Sequence, residues 1–284
     1  KLNQVLTKRF LRFLNEQSRK EEETYLEFWS EFGMLIKEGA ATDFTYKDDL
    51  AKLLRFESTA LDAGKLTGLD DYMDRMASDQ NEILFLFGKS RESIEAGPYL
   101  EAMKARGIEV LLCTEQVDEY VMQTIREYKE KKIISADSED VKLEKIDQDE
   151  EKESLGKKEV KSLCKWLKES LKDKISDVET GDRLIDSPVC IVGADGMGGA
   201  SARRVMKMMQ GPEGGMPAPS MKLQINPQNP IIRGLSALKD KDDPTAQLVA
   251  NQLLDNALAS ANLLDDPKEM IARSYQALEK ITAA

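Results

Sequence analysis

ILFLFGKSRESIEAGPYLEAMKARGIEVLLC, residues 83–113, decides the fold class. Ile83 to Phe87 is a continuous apolar run, the pattern of a short strand buried on both faces. Gly88 closes it and a polar helix start follows. Pro98 to Arg106 reads as a helix that Gly107 ends, and Ile108 to Cys113 reads as a second buried strand. Downstream, Asp118 to Tyr128 places Val121, Met122, Ile125 and Tyr128 on one side of a helix, and Ile133-Ile134 supplies a third, short strand. Buried strands alternating with helices imply a small parallel sheet with right-handed crossovers. The class is α/β, or α+β over the whole chain. Sheets of this kind often hold ligands at their strand ends, but Gly88-Lys89-Ser90 has neither dinucleotide nor P-loop glycine spacing.

Upstream of the sheet, residues 1–68 read as a helical coil. Leu2, Leu6, Phe10, Phe13 and Leu14 make one stripe; Tyr25, Phe28, Trp29, Phe32 and Ile36 make the next, and Gly39 stops it. Both are read as packing. Thr45 with Asp48 has the form of a capping box before Leu50. The small αβα region covers 69–136. Residues 137–158 are rich in acids and read as a solvated linker. Asp147-Gln148-Asp149 opens like a calcium loop, but Lys152 and Lys158 stand where that loop needs Gly and Glu.

Residues 159–284 read as a further α/β domain. Val160, Leu163, Cys164, Leu167 and Leu171 mark a helix; Ile175–Thr180, Val189–Val192 and Leu223–Ile225 read as strands; a helix starts at Pro230. Gly193–Gly199 reads as a flexible turn. The chain then closes with two amphipathic helices. Val249, Leu253, Leu254, Ala257 and Ala261 recur at helical spacing in the first; Met270, Ile271, Ser274, Tyr275, Leu278 and Ile281 do so in the second. Asp265-Asp266-Pro267 breaks the chain between them. An αα-hairpin with small residues on its contact face suits a four-helix bundle built by two copies, so these stripes are the expected dimer interface.

Composition narrows the function. A net charge of −11 argues against nucleic acid as partner. No run is long and apolar enough to cross a membrane. The absence of histidine removes the commonest general base and most transition-metal sites. Cys113, Cys164 and Cys190 never form CxxC, and Cys113 and Cys190 lie in apolar runs that read as buried strand. Lys1 opens directly into amphipathic helix, which reads as a piece of a longer chain.

KLLRFEST (52–59), LDDYMDRM (69–76), YLEAMKARGIEVLLCTEQVDEY (99–120), DRLIDSPVCIV (182–192) and LQINPQNPII (223–232) together resemble the heat-shock protein 90 chaperones. The order matches across nearly the whole chain, and EYKEKKIIS (127–135) looks most like the mitochondrial paralogue. The resemblance implies the end of the middle domain over 1–136 and the C-terminal dimerisation domain over 159–284. The ATP-binding domain and the catalytic-loop arginine would lie outside this sequence. It therefore implies no catalytic, cofactor or metal residue here, with ATP and magnesium belonging to the full-length protein. The implied partners are a second copy and unfolded or partly folded clients, and the implied location is the mitochondrial matrix or another organelle stroma, with the bacterial cytoplasm as the alternative.

The family's client-contacting segment maps onto Gly198–Gln210. Val205, Met206, Met208 and Met209, with Met216 across the following loop, are the expected client contacts, because methionine adapts to varied apolar partners. Arg203 and Arg204 would add attraction for acidic segments. Cys190 falls where many members carry a cysteine, with buried core favoured over a redox switch. The rival reading is a small-molecule or nucleotide-binding enzyme using the 83–135 sheet.

Overall fold

The computed structural model describes residues 2–143, 153–172, 174–193, 203–205, 221–241, 243–264 and 266–282. The chain forms two compact units. The first runs to Glu95 and resumes over Gly107–Ala136; the second takes Ala96–Arg106 and everything from Asp137 onward. The fold is mixed α/β.

In the first unit five strands pair in the order β1-β3-β2-β5-β4, where β1 is Glu57–Ser58, β2 Glu82–Phe87, β3 Leu111–Cys113, β4 Glu127–Tyr128 and β5 Lys131–Ser135. The three central strands are parallel, with Phe85 opposite Leu111 and Leu84 opposite Ile134. Ile83 to Leu86, Leu111 to Cys113 and Ile133-Ile134 are buried on both faces, which is why these stretches read as apolar runs. The two edge strands are antiparallel. They are two residues each, too short to leave a period in the sequence.

Helices Leu2–Lys20, Glu22–Thr42 and Gln116–Ile125 pack with this sheet into one core that includes Leu11, Leu14, Tyr25, Trp29, Leu53, Phe85 and Met122. A buried ion pair joins two of the helices: Lys37 Nζ lies 2.7 Å from Asp118 and 3.1 Å from Glu115. The Asp118 carboxyl is pushed up by burial, against the pull of Lys37.

Four local readings need correction. Gly39 does not stop its helix, which runs on to Thr42 with Asp43 as its cap. The stripe Leu2, Leu6, Phe10 and Phe13 faces outward, and the first helix packs through Leu11, Leu14 and Ser18 instead. The helix expected to reach Tyr128 stops at Ile125, because Arg126 turns left-handed at φ 57° and sends Glu127-Tyr128 into β4. Thr45 and Asp48 form no capping box; the Asp43 carboxylate accepts the N–H groups of Thr45 and Tyr46 at 2.8 and 3.2 Å, and the short helix Lys47–Ala51 follows.

The second unit holds a three-stranded sheet ordered β6-β8-β7, with β6 Asp177–Thr180, β7 Val189–Val192 and β8 Lys222–Ile225. β6 and β8 are parallel; β7 runs antiparallel to β8. Around it lie helices Tyr99–Ala105, Lys157–Ser170, Pro230–Asp240 and Thr245–Ser260, with Lys268–Thr282 beyond them. Asn229 caps the third of these by accepting the Ile231 N–H at 2.9 Å, with Pro230 in the first turn. Asp137, expected in a solvated linker, is buried in this unit and paired with Arg204 at 2.9 Å.

Candidate functional site

Helix Thr245–Ser260 buries Ala246, Ala250, Leu253, Leu254 and Ala257, and Ala261 is buried just beyond its end. Arg204 donates to the Ala261 carbonyl at 2.9 Å, placing a cation on the carbonyl end of the helix. The expected first stripe is thus mostly spent inside the chain itself. Leu254 and Leu253 pack inward, and only Val249 of that set stays half-buried.

Helix Lys268–Thr282 is the opposite case, because none of its residues is buried. Asp266 starts it by accepting the Lys268 N–H at 2.9 Å. Met270, Arg273, Ser274 and Ala277 are half-covered and lie toward the preceding helix, where Arg273 meets Asp255. Ile271, Tyr275, Leu278 and Ile281 are exposed at 44%, 63%, 54% and 72%. Steps of four, three and three place them on one face. The expected second stripe therefore divides: Met270 and Ser274 lean inward, whereas Ile271, Tyr275 and Leu278 form an uncovered apolar ridge.

Of the expected client contacts, Val205 is buried. Met206, Met208, Met209 and Met216 lie outside the described residues. Arg203 and Arg204, expected to attract acidic client segments, are not surface charges. Both are buried, and Arg204 is committed to Asp137 and the Ala261 carbonyl. Cys113 and Cys190 are buried strand residues, and burial pushes the Cys190 thiol up to about 12. A thiol so held stays protonated at neutral pH, the reverse of what a reactive cysteine needs.

The first unit contains a cleft of about 450 Å³ lined by Arg19, Lys52, Arg55, Asp70, Asp74 and Lys129 among others. No residue following β2 or β3 lines it, so it is not the strand-end crevice of a nucleotide-binding sheet. Its charges answer one another: Asp70 pairs with Arg19 at 2.7 Å and Lys129 at 2.6 Å, and accepts from the Tyr128 hydroxyl at 2.7 Å. Among the described residues no three acid, cysteine or histidine side chains converge as metal ligands, and none of their helices is long and apolar enough to cross a membrane.

Two α/β units thus close in a hairpin whose terminal helix carries a bare apolar ridge, and comparison with known proteins shows the family. The Hsp90 protein family model matches residues 1–283. The chain is 40% identical over 285 residues to the chaperone protein HtpG of Desulfotalea psychrophila, covering 99% of this chain and 46% of that protein. HtpG of Desulfitobacterium hafniense is 41% identical over 283 residues, covering 99% and 45%. The mitochondrial heat shock protein 75 kDa of Bos taurus is 38% identical over 290 residues, covering 99% and 41%. This chain belongs to the Hsp90 family. It spans less than half the length of these relatives. The bacterial relatives are at least as similar as the mitochondrial one, so the expected preference for a mitochondrial member is not supported.

Proposed function

We propose that this chain is the middle-to-C-terminal part of an ATP-dependent homodimeric chaperone, supplying the subunit contact and part of the client surface. The observation that carries the reading is the ridge Ile271, Tyr275, Leu278 and Ile281, bare on a helix without one buried residue. Packed against its own copy it would form an isologous four-helix arrangement. An interface of roughly 1,500 Å², at about 25 cal/mol per Å² of apolar area, has enough driving force for a stable dimer.

In this reading nucleotide chemistry belongs to the remainder of the full-length protein, and the chain alone turns over no ATP. The methionines at 206, 208, 209 and 216 engage apolar segments of unfolded clients. Location follows the source, an organelle interior or a bacterial cytoplasm. An enzyme built on the 83–135 sheet is not favoured, since the cleft beside it is self-neutralised and off the strand ends.

The test is to change Met206, Met208 and Met209 together to Ser and measure suppression of aggregation of a denatured model client. Weakened suppression by an otherwise intact protein is the expected result. Equal suppression by the triple variant removes the segment from the mechanism.

A further inference from the structure

Three of the runs that carry the family resemblance meet around one short loop of the second unit. The backbone N–H groups of Ile185, Asp186 and Ser187 all donate to the Glu101 carboxylate, at 2.9, 2.9 and 3.1 Å. The Ser187 hydroxyl donates to it as well. The carbonyls of the same residues point to two asparagines. Asn226 Nδ2 donates to Ile185 O at 3.1 Å and Ser187 O at 3.3 Å; Asn229 Nδ2 donates to Asp186 O at 2.7 Å. Each asparagine is itself fixed at its other end. Asn226 Oδ1 accepts the Gln228 N–H at 3.1 Å, and Asn229 Oδ1 caps helix Pro230–Asp240.

All six backbone polar groups of three consecutive residues are thus bound, the N–H groups by a carboxylate and the carbonyls by amides. Three successive N–H groups converging on one point make an anion nest, the arrangement by which loops hold phosphate or carboxylate. Here the anion comes from the helix Tyr99–Ala105, more than eighty residues away in sequence. That helix has two further ties. The Tyr99 hydroxyl donates to Ile191 O at 2.8 Å, and Arg106, just past its end, donates to Asp182 O at 3.2 Å.

The loop leads straight into β7, where the Pro188 carbonyl accepts the Asn226 N–H at 2.9 Å. β7 packs against helix Thr245–Ser260. Asp255 of that helix holds Arg273 of the terminal helix. A continuous series of packed and bonded elements therefore joins Glu101 to the bare ridge.

We propose that Glu101 is a positioning residue whose carboxylate seats the Ile185–Ser187 loop and so sets β7 and the terminal hairpin in the geometry that pairs two copies. The proposal rests on the subunit-contact reading above. Glu101 touches neither the ridge nor a partner; it acts through the loop.

The experiment compares wild type, Glu101→Ala and Glu101→Gln by amide hydrogen exchange at residues 185–187 and by the dimer dissociation constant, each with and without added acetate. Loss of hydrogen bonds to a charged acceptor speeds exchange at these amides on the order of tenfold or more in Glu101→Ala. Glu101→Gln, which can still accept but carries no charge, falls between. The dimer dissociation constant rises with the exchange rate, and acetate, entering the emptied nest, reverses both in Glu101→Ala only. Unchanged exchange overturns the proposal. Faster exchange with an unchanged dissociation constant also overturns it, leaving a purely local contact. Should Glu101→Ala fail to fold, Glu101→Gln carries the same two measurements. A monomeric wild type defeats the subunit-contact reading and the coupling together, whereas the exchange and acetate arms still judge the nest by themselves.

Discussion

Arg273 of the terminal helix donates from Nε to the buried Asp255 carboxylate of the helix before it, at 2.8 Å, with Nη2 on the same oxygen. This pair fixes the rotation of helix Lys268–Thr282. With Arg273 turned inward, residues 271, 275 and 278 can only face out. Lys280 adds a second tie, donating to Thr245 Oγ1 at 2.9 Å.

Replacing Arg273 by Ala leaves Asp255 buried with only Lys174, 3.8 Å away, as a counter-charge. Breaking one side of a buried pair costs about 2–3 kcal/mol here, because the partner is left desolvated. Urea unfolding should show that loss, and Asp255→Asn with Arg273→Ala should recover part of it.

Gly181 and Gly234 make an opposed pair. A Cβ at Gly181 would stand 2.4 Å from the side chain of buried Gln224, whereas at Gly234, inside helix Pro230–Asp240, it would meet nothing within 4 Å. Gly181→Ala should destabilise by about 1–3 kcal/mol through overpacking. Gly234→Ala should stabilise by about 0.5–1 kcal/mol through helix propensity. Opposite shifts of the denaturation midpoint are the expected outcome.

The hairpin between β4 and β5 turns through Lys129 and Glu130 at φ 46° and 67°, left-handed values that favour glycine. Lys129 is paired with Asp70, but Glu130 is exposed and, among the described residues, in no such pair. Glu130→Gly should therefore gain on the order of 1 kcal/mol by relieving the strained backbone, read as a higher melting temperature.

Stability should fall steeply between pH 10 and 12. Burial pushes the Tyr25 and Tyr72 hydroxyls up to about 12 from 10.0, so the unfolded chain loses those protons first and gains in relative stability as pH rises. Lys37 acts in the same direction. Burial lowers its pKa, but Asp118 and Glu115 outweigh that and raise it overall, so its contribution is complete below 10.5 and is lost above. Tyr25→Phe should flatten this alkaline slope in thermal unfolding measured across that range, while also losing the 2.5 Å hydrogen bond to Leu53 O.

The sequence disclosed those parts of the fold whose burial is symmetrical. The runs at 83–87 and 189–192 were legible as strands because both faces are covered, the run at 108–113 holds a strand only over Leu111–Cys113, and Pro230 marked a helix start by local chemistry alone. Burial on one side was less legible. Periodicity located the stripes in the first and last helices but could not say which face meets the core. Leu2, Leu6, Phe10 and Phe13, read as packing, face outward, and in the helix before the last Leu253, Leu254 and Ala257, read as a contact face for a second copy, are buried within the chain. Arg204 looked like surface charge because its anion, Asp137, lies sixty-seven residues earlier, among acids that read as linker. Nothing in the spacing of Glu101, Ser187, Asn226 and Asn229 pointed to one shared loop, since that junction exists only once the chain has folded.

The central claim is that the terminal ridge pairs two copies of this chain, and sedimentation equilibrium at micromolar concentration tests it most directly. Wild type should sediment at twice the 31.9 kDa chain mass, and Tyr275→Asp with Leu278→Glu, both changes on exposed positions, should sediment at the single-chain mass with unchanged helical content. A wild type that remains single at tens of micromolar, or a double variant that still pairs as tightly, would contradict the account.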